Sequence, residues 1–389
     1  MTREPYLELD RMLSEAERLA GCDDWGDEEF REPLRRFVDA LNAESNLTPQ
    51  GVERTRSHVM KMLVGRLRLY RDRKAFPDIA REEIRAPLFL TGHGRSGTSY
   101  LNALMACDPT SYAPLHWQIW TLSPPPGHPD TDNAPQRAAG EHFIRFEGWQ
   151  DPDVRSKHDY SSEGAAEDTL IQDYSFISRS IPFFWNTPSY GAWLPSADFG
   201  AAFRIERKVL QALQHGLKRD RWVLKSPIHM GQFDQLFAEF PDARIVVNHR
   251  DPAKSLASIV GLLHAHRKQF GNPPPVVGRD FVLASMEGAA AITRDMIRRR
   301  KDAAVNRRFV DVLYLDLEND PLGQVAKVYA HHGIVFTDEA RARMARYVAE
   351  NRKGQFGAHR YDIRELGVSL EEVRERFAFY YAEYGIPLE

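Results

Sequence analysis

Leu88–Leu90 run straight into a turn that holds Gly92, Gly94 and Gly97, and the turn runs straight into Tyr100, Leu101, Leu104 and Met105 at helical spacing. A strand that feeds a helix meets its next strand only after a crossover, which favours parallel pairing. Short apolar runs recur at Trp222–Leu224, Ile245–Val247 and Phe309–Leu315. Each is followed by helical spacing: Phe233, Leu236, Phe237 and Phe240, then Leu256, Ile259, Val260 and Leu263, then Leu322, Val325, Ala326 and Tyr329. This alternation predicts an α/β fold of three layers, a mainly parallel sheet flanked by helices on both faces.

Residues 1–80 read instead as helices. "SEAERLAG" stops at a glycine, and "VERTRSHVMKMLVGRLRLYRDR" sets Val59, Leu63 and Leu67 on one face with many arginines opposite, the pattern of a packed amphipathic helix. "LSPPPGHPDTDNAPQ" and "GNPPPVVGRD" interrupt the later alternation and predict loops. Between them, residues 140–205 have weak periodicity and many rings, including Phe176, Phe183, Phe184, Trp185, Tyr190, Trp193 and Phe203. The expected organisation is a helical N-terminal extension over 1–80 and one domain over 81–389, with a helical lobe inserted at about 140–205.

With 389 residues, 42% of them hydrophobic and 28% charged, the chain can bury a large core. A net charge of -3 gives no support for a nucleic-acid or anionic-membrane partner, which would call for a basic excess. "MTREPYLELDRML" lacks the apolar run of a signal peptide, and no stretch reaches the roughly 18 to 20 apolar residues of a membrane span. A cytoplasmic protein is expected, and a homo-oligomer is compatible with the sequence. Cys22 and Cys107 are the only cysteines, too few for a disulfide framework or a zinc cluster.

The glycine turn lets successive backbone N–H groups and the start of the next helix point at one anion. A nucleotide kinase would carry lysine after the second glycine of such a loop, but here Thr98 follows Gly97. The fixed cation is Arg95, whose planar fork can hold neighbouring anionic oxygens without a metal ion. "GRSGTS", with Arg95, Ser96, Gly97, Thr98 and Ser99, resembles the loop of the sulfotransferases that use 3'-phosphoadenylyl sulfate (PAPS), where it holds the 5'-phosphosulfate. The resemblance implies a P-loop NTPase-like sulfotransferase fold, nucleotide contacts from Gly94 to Ser99, and no metal. It runs from about residue 86 to 384, with "VLKSP" and "VLYLDLENDP" among its motifs, and none of it lies in residues 1–80.

"RIVVN" leads into "HRDPAKSLASIV", with Asp251 as the expected N-cap and Pro252 in the first turn. In this family an arginine at that strand end and a serine eight residues later hold the 3'-phosphate, and Arg250 and Ser258 have that spacing. Arg352, Lys353 and Gly354, in "NRKGQFGAHRY", look like further 3'-phosphate contacts by the same resemblance. Lys225, at the end of "WVLK", is the second cation expected at the oxygen that leaves sulfur, alongside Arg95.

The acceptor hydroxyl needs a base. "PLHWQIW" contains no carboxylate and has Gln118 where relatives often carry glutamate, so His116 is the first candidate, with His158, Glu163 and Glu167 as alternatives. The implied function is sulfonate transfer from PAPS to a hydroxyl, releasing adenosine 3',5'-bisphosphate. "SIPFFWNTPSYGAWLPSADF" suggests an apolar pocket and a small hydrophobic alcohol or phenol as acceptor. Two other functions fit the motifs less closely: a magnesium-dependent nucleotide kinase, and a non-catalytic nucleotide-binding protein.

Overall fold

The computed structural model describes residues 4–155, 160–271, 278–351 and 363–389. They form two compact units, one of Met1–Ile84, Pro114–Lys218 and Leu263–Pro273, the other of Arg85–Ala113, Arg219–Leu262 and Pro274–Glu389.

The first unit is helical, with long helices at Leu9–Ala20, Arg31–Glu44, Pro49–Ala75, Ala134–Phe146 and Phe199–Gln214. Gly21, at φ 70°, ends the first of them, and Thr48 caps the third by accepting from Gly51 N. Val59, Leu63 and Leu67 are fully buried along that third helix, as their spacing predicts. Arg66, two turns after Val59 and so on the same face, is 1% exposed. Burial is tolerated because its donors are met by Trp25 O, Tyr174 O and Asp27, with the Phe30 ring beneath the guanidinium. Of the aromatic stretch after residue 180, Ile181, Phe184, Trp185, Tyr190 and Leu194 are core, and Phe183 and Trp193 are half-buried.

The second unit carries one parallel five-stranded sheet: β1 (Leu88–Gly92), β2 (Ser111–Tyr112), β3 (Arg221–Lys225), β4 (Arg244–His249) and β5 (Phe309–Leu313), in the order β2-β3-β1-β4-β5. Side-chain alternation divides the core between its faces. Leu88, Leu90, Val223, Val246, Val310 and Val312 pack with Leu101, Leu104 and Met105 of α1 (Thr98–Met105) on one side. Phe89 turns the other way, toward Phe240 and His229. A further cluster joins α2 (Pro252–Phe270, through Leu262 in this unit), α3 (Arg279–Arg299) and α4 (Ala378–Tyr384) around Leu256, Val260, Met286, Phe377 and Tyr380. The expected fourth apolar run ends two residues early, because Tyr314 already opens a short helix, Tyr314–Asn319.

The end of β4 is pinned by a polar network. Tyr380 OH donates to His249 Nδ1 at 2.8 Å, and His249 Nε2–H donates to Asp311 Oδ1 at 2.8 Å. Arg300 donates to both Asp311 oxygens, each at 2.6 Å. Burial alone would raise the Asp311 carboxyl, but the hydrogen bonds from Arg300 and His249 outweigh it and hold it well below the usual carboxylate range. This stabilisation is fully present above the unfolded carboxyl value near pH 4 and is lost as the pH falls below it. With Asp311 still 34% exposed, we expect Asp311→Asn to cost about 1–2 kcal/mol at pH 7. Urea unfolding at pH 7 and pH 3 checks it: the gap between native and variant should shrink at pH 3, and an unchanged gap would contradict this origin.

Candidate active site

The candidate residues of the second unit gather at the carboxyl ends of neighbouring strands, where open parallel sheets bind their ligands. β1 ends in the glycine turn, Lys225 closes β3, Arg250 follows β4 and Tyr314 follows β5. β1 lies between β3 and β4 in register, with Leu90 beside Lys225 and Gly92 beside Asn248.

The turn is held from the β4 side. Arg250 Nη1 donates to Arg95 O at 3.0 Å, and Asn248 Nδ2 donates to Ser96 O at 3.4 Å. With these two carbonyls tied down, the amide side of the turn leads into the first turn of α1, whose N–H groups have no acceptor within the helix. Gly97 is the N-cap at φ 89°, and a Cβ placed there would stand 3.0 Å from the Tyr314 ring. Gly92 has φ 146°, and a Cβ there would lie 2.3 Å from Asn248 O. Both positions therefore require glycine. Ser96 is fully buried, and its Oγ has no hydrogen-bond partner among the described residues, which suits a hydroxyl awaiting an anionic oxygen.

Each cation is fixed by a neighbour. Lys225, 1% exposed, donates to Ser99 Oγ at 3.1 Å. Arg95 Nε donates to Ser258 Oγ at 3.1 Å, so the loop cation and the α2 serine are brought together. Asp251 caps α2 by accepting from Ala253 N at 2.8 Å, as its place before Pro252 predicts. One turn into α2, Ser255 is buried and its Oγ is unbonded among the described residues. Arg250 lies over the Tyr314 ring at 3.8 Å. Its fork is filled by Glu389: Nε donates to Oε1 at 2.9 Å and Nη2 to Oε2 at 2.8 Å.

Sequence reasoning passed over Asn248, Tyr314 and Glu389. Asn248 had a signal, an amide closing the apolar run "RIVVN"; Tyr314 stands just after the last strand and had a weaker one. Glu389 meets Arg250 from 139 positions away, and no local pattern announces it.

His116, Glu163 and Glu167 lie in the first unit. His116 is 1% exposed at the start of the helix His116–Trp120, and its Nδ1 donates to Ser161 O at 3.0 Å. In a neutral ring that bond leaves the basic lone pair on Nε2. Gln118 Oε1 accepts from Leu115 N at 3.0 Å and so closes the first turn of the same helix. Glu163 is exposed and paired with Arg137, while Glu167 is half-buried. His158, Arg352, Lys353 and Gly354 lie outside the described residues. Among the described residues there is no group of three His, Cys, Asp or Glu side chains suited to a metal ion, and no helix long and apolar enough to cross a membrane.

Residues 87–338, which include the glycine turn, Lys225, Arg250 and Tyr314, match the profile of the Sulfotransferase family. The chain belongs to the sulfotransferase family. Its fold follows sulfotransferase STF9 of Mycobacterium avium at a TM-score of 0.86 and 25% identity, covering 100% of this chain and 98% of the other. Sulfotransferase STF1 of Mycobacterium tuberculosis gives 0.81 at 28% identity, covering 97% of this chain and 100% of that one. The omega-hydroxy-beta-dihydromenaquinone-9 sulfotransferase Stf3 of Mycobacterium bovis, and likewise of Mycobacterium tuberculosis, is 24% identical over 318 residues, 75% of each chain. Sulfotransferases require a sulfonate donor as cosubstrate.

Gly97→Ala in this sulfotransferase should fold with a small loss of Tm, about 2–4 °C, because a side chain at positive φ costs roughly 1–2 kcal/mol. It should also weaken donor binding at least about tenfold, since the same change disturbs the first N–H groups of α1. Paired thermal melts and binding titrations check this, and unchanged donor affinity would contradict the role given to the turn.

Proposed function

We propose that this sulfotransferase uses PAPS as donor, passes its sulfonate to the hydroxyl of a small hydrophobic alcohol or phenol, and releases adenosine 3',5'-bisphosphate. The observation that supports this is the hydrogen bond from Arg250 to the Arg95 carbonyl, which brings the arginine after β4 against the glycine turn at the carboxyl end of the sheet. A ligand with two separate anionic groups on one adenosine suits such a pair. In this proposal Gly94–Ser99 hold the 5'-phosphosulfate, Arg250 and Ser258 hold the 3'-phosphate, and Arg352, Lys353 and Gly354 add further contacts to it.

The acceptor oxygen forms a bond to sulfur as the sulfur bond to the bridging phosphate oxygen breaks, and the hydroxyl proton passes to a base. Arg95 and Lys225 oppose the charge gathering on the bridging oxygen. Lys225 needs little reorganisation for this task, because burial and Ser99 already fix its ammonium. His116 is the proposed base. An apolar, hydroxyl-bearing acceptor is supported by the relative named for a hydroxylated dihydromenaquinone. The cytoplasm, where such a nucleotide is at hand, is the proposed location.

Titration with adenosine 3',5'-bisphosphate, in EDTA and again with magnesium, tests the donor. Equal affinity under both conditions is expected, with a loss of about 10²-fold in Arg250→Ala, the worth of one charge-assisted fork. Magnesium-dependent binding of ATP with indifference to the bisphosphate would favour a kinase instead. Lys225→Ala should lower kcat about 10²- to 10³-fold in sulfonate transfer while leaving bisphosphate affinity within about threefold. His116→Ala should also lower kcat without moving that affinity, and full activity in either variant would remove the residue from the chemistry.

A further inference from the structure

The last residues, from Tyr380 to Glu389, grip His249, Arg250 and Asp251 at the end of β4. Tyr380 OH donates to His249, and the Tyr384 ring stacks on the same imidazole at 4.0 Å. Tyr381 OH donates to Asp251 Oδ1 at 2.5 Å, and Glu389 N donates to Asp251 Oδ2 at 2.9 Å. Ile386, 6% exposed, anchors the stretch between them. This leaves the Glu389 side chain aimed at Arg250, where it takes the Nε–Nη2 edge of the guanidinium, at 2.9 and 2.8 Å, while Nη1 serves the Arg95 carbonyl. The contact is well shielded, with the two side chains 15% and 21% exposed.

A carboxylate in a bidentate pair with arginine presents nearly the same two oxygens to the fork as a phosphate does. The two cannot share one guanidinium comfortably, because a phosphate monoester brings close to two negative charges beside the one already there. We infer that Glu389 is an internal stand-in for the nucleotide's 3'-phosphate, a carboxylate plug that must leave Arg250 before the donor can seat. This rests on the proposal that Arg250 holds that phosphate. The backbone grip on Asp251 and the burial of Ile386 do not involve the Glu389 side chain, so the plug can swing out while the segment stays docked. Its consequence is a threshold on donor binding: if the plugged form is populated about nine-tenths of the time, the apparent affinity falls about tenfold below the intrinsic one.

The test compares calorimetric Kd values of adenosine 3',5'-bisphosphate and adenosine 5'-phosphate for the full chain, Glu389→Gln, Arg250→Ala and the double variant. Glu389→Gln should tighten the bisphosphate about three- to tenfold and leave the 5'-phosphate unchanged, and it should have no effect once Arg250 is replaced. Weaker bisphosphate binding in Glu389→Gln would overturn the plug, making Glu389 a brace that orients Arg250, and unchanged binding would overturn it as well. In both cases a selective loss of bisphosphate affinity in Arg250→Ala leaves the placement of the 3'-phosphate standing. If Arg250→Ala shows no such loss, that placement fails, and the plug falls with it.

Discussion

The site depends on one constraint: β1 is the central strand of a parallel sheet, so the turn that leaves it is flanked on both sides by strand ends pointing the same way. β3 brings Lys225 to one flank and β4 brings Asn248 and Arg250 to the other. Neither flank could be supplied by an antiparallel neighbour, whose nearest end would be its beginning. The hydrogen bond from Arg250 to the Arg95 carbonyl then converts adjacency into geometry, since the guanidinium after β4 fixes the backbone of the loop beside it.

Around this arrangement the charges are placed in advance. Arg95 leans on Ser258, Lys225 on Ser99, and Arg250 on the Tyr314 ring and Glu389. The support extends a layer further, through His249 to Asp311 and Arg300, so the end of β4 is tied on both of its faces. Oriented charge of this kind is what transfer between anionic oxygens asks of a protein, because little reorganisation remains to be done when charge shifts. The same polar density makes the site sensitive to any carboxylate that reaches it, and Glu389 is one.

Much of this was legible in the sequence because it is written in short-range patterns. Apolar runs located β1, β3, β4 and β5 within a few residues, and the glycines, Arg95, Lys225 and Arg250 declared themselves by standing at the ends of those runs. β2 was not legible, since two residues carry no periodicity. The burial of Arg66 was not legible, because the three partners that make it tolerable are distant carbonyls and a carboxylate. Gln118 was noted for the carboxylate it lacks, and its observed work is to close a helix turn. Glu389 was invisible for the plainest reason, a contact made across most of the second unit's chain length.

The central claim is that the loop after β1 and the arginine after β4 receive the two ends of one nucleotide. A crystal structure of the complex with adenosine 3',5'-bisphosphate measures this directly. The 5'-phosphate should lie on the N–H groups of Gly97–Ser99, and the 3'-phosphate in the fork of Arg250 with Glu389 turned away. A bisphosphate seated elsewhere, or bound on the turn with its 3'-phosphate in solvent and the Arg250–Glu389 pair intact, would contradict it.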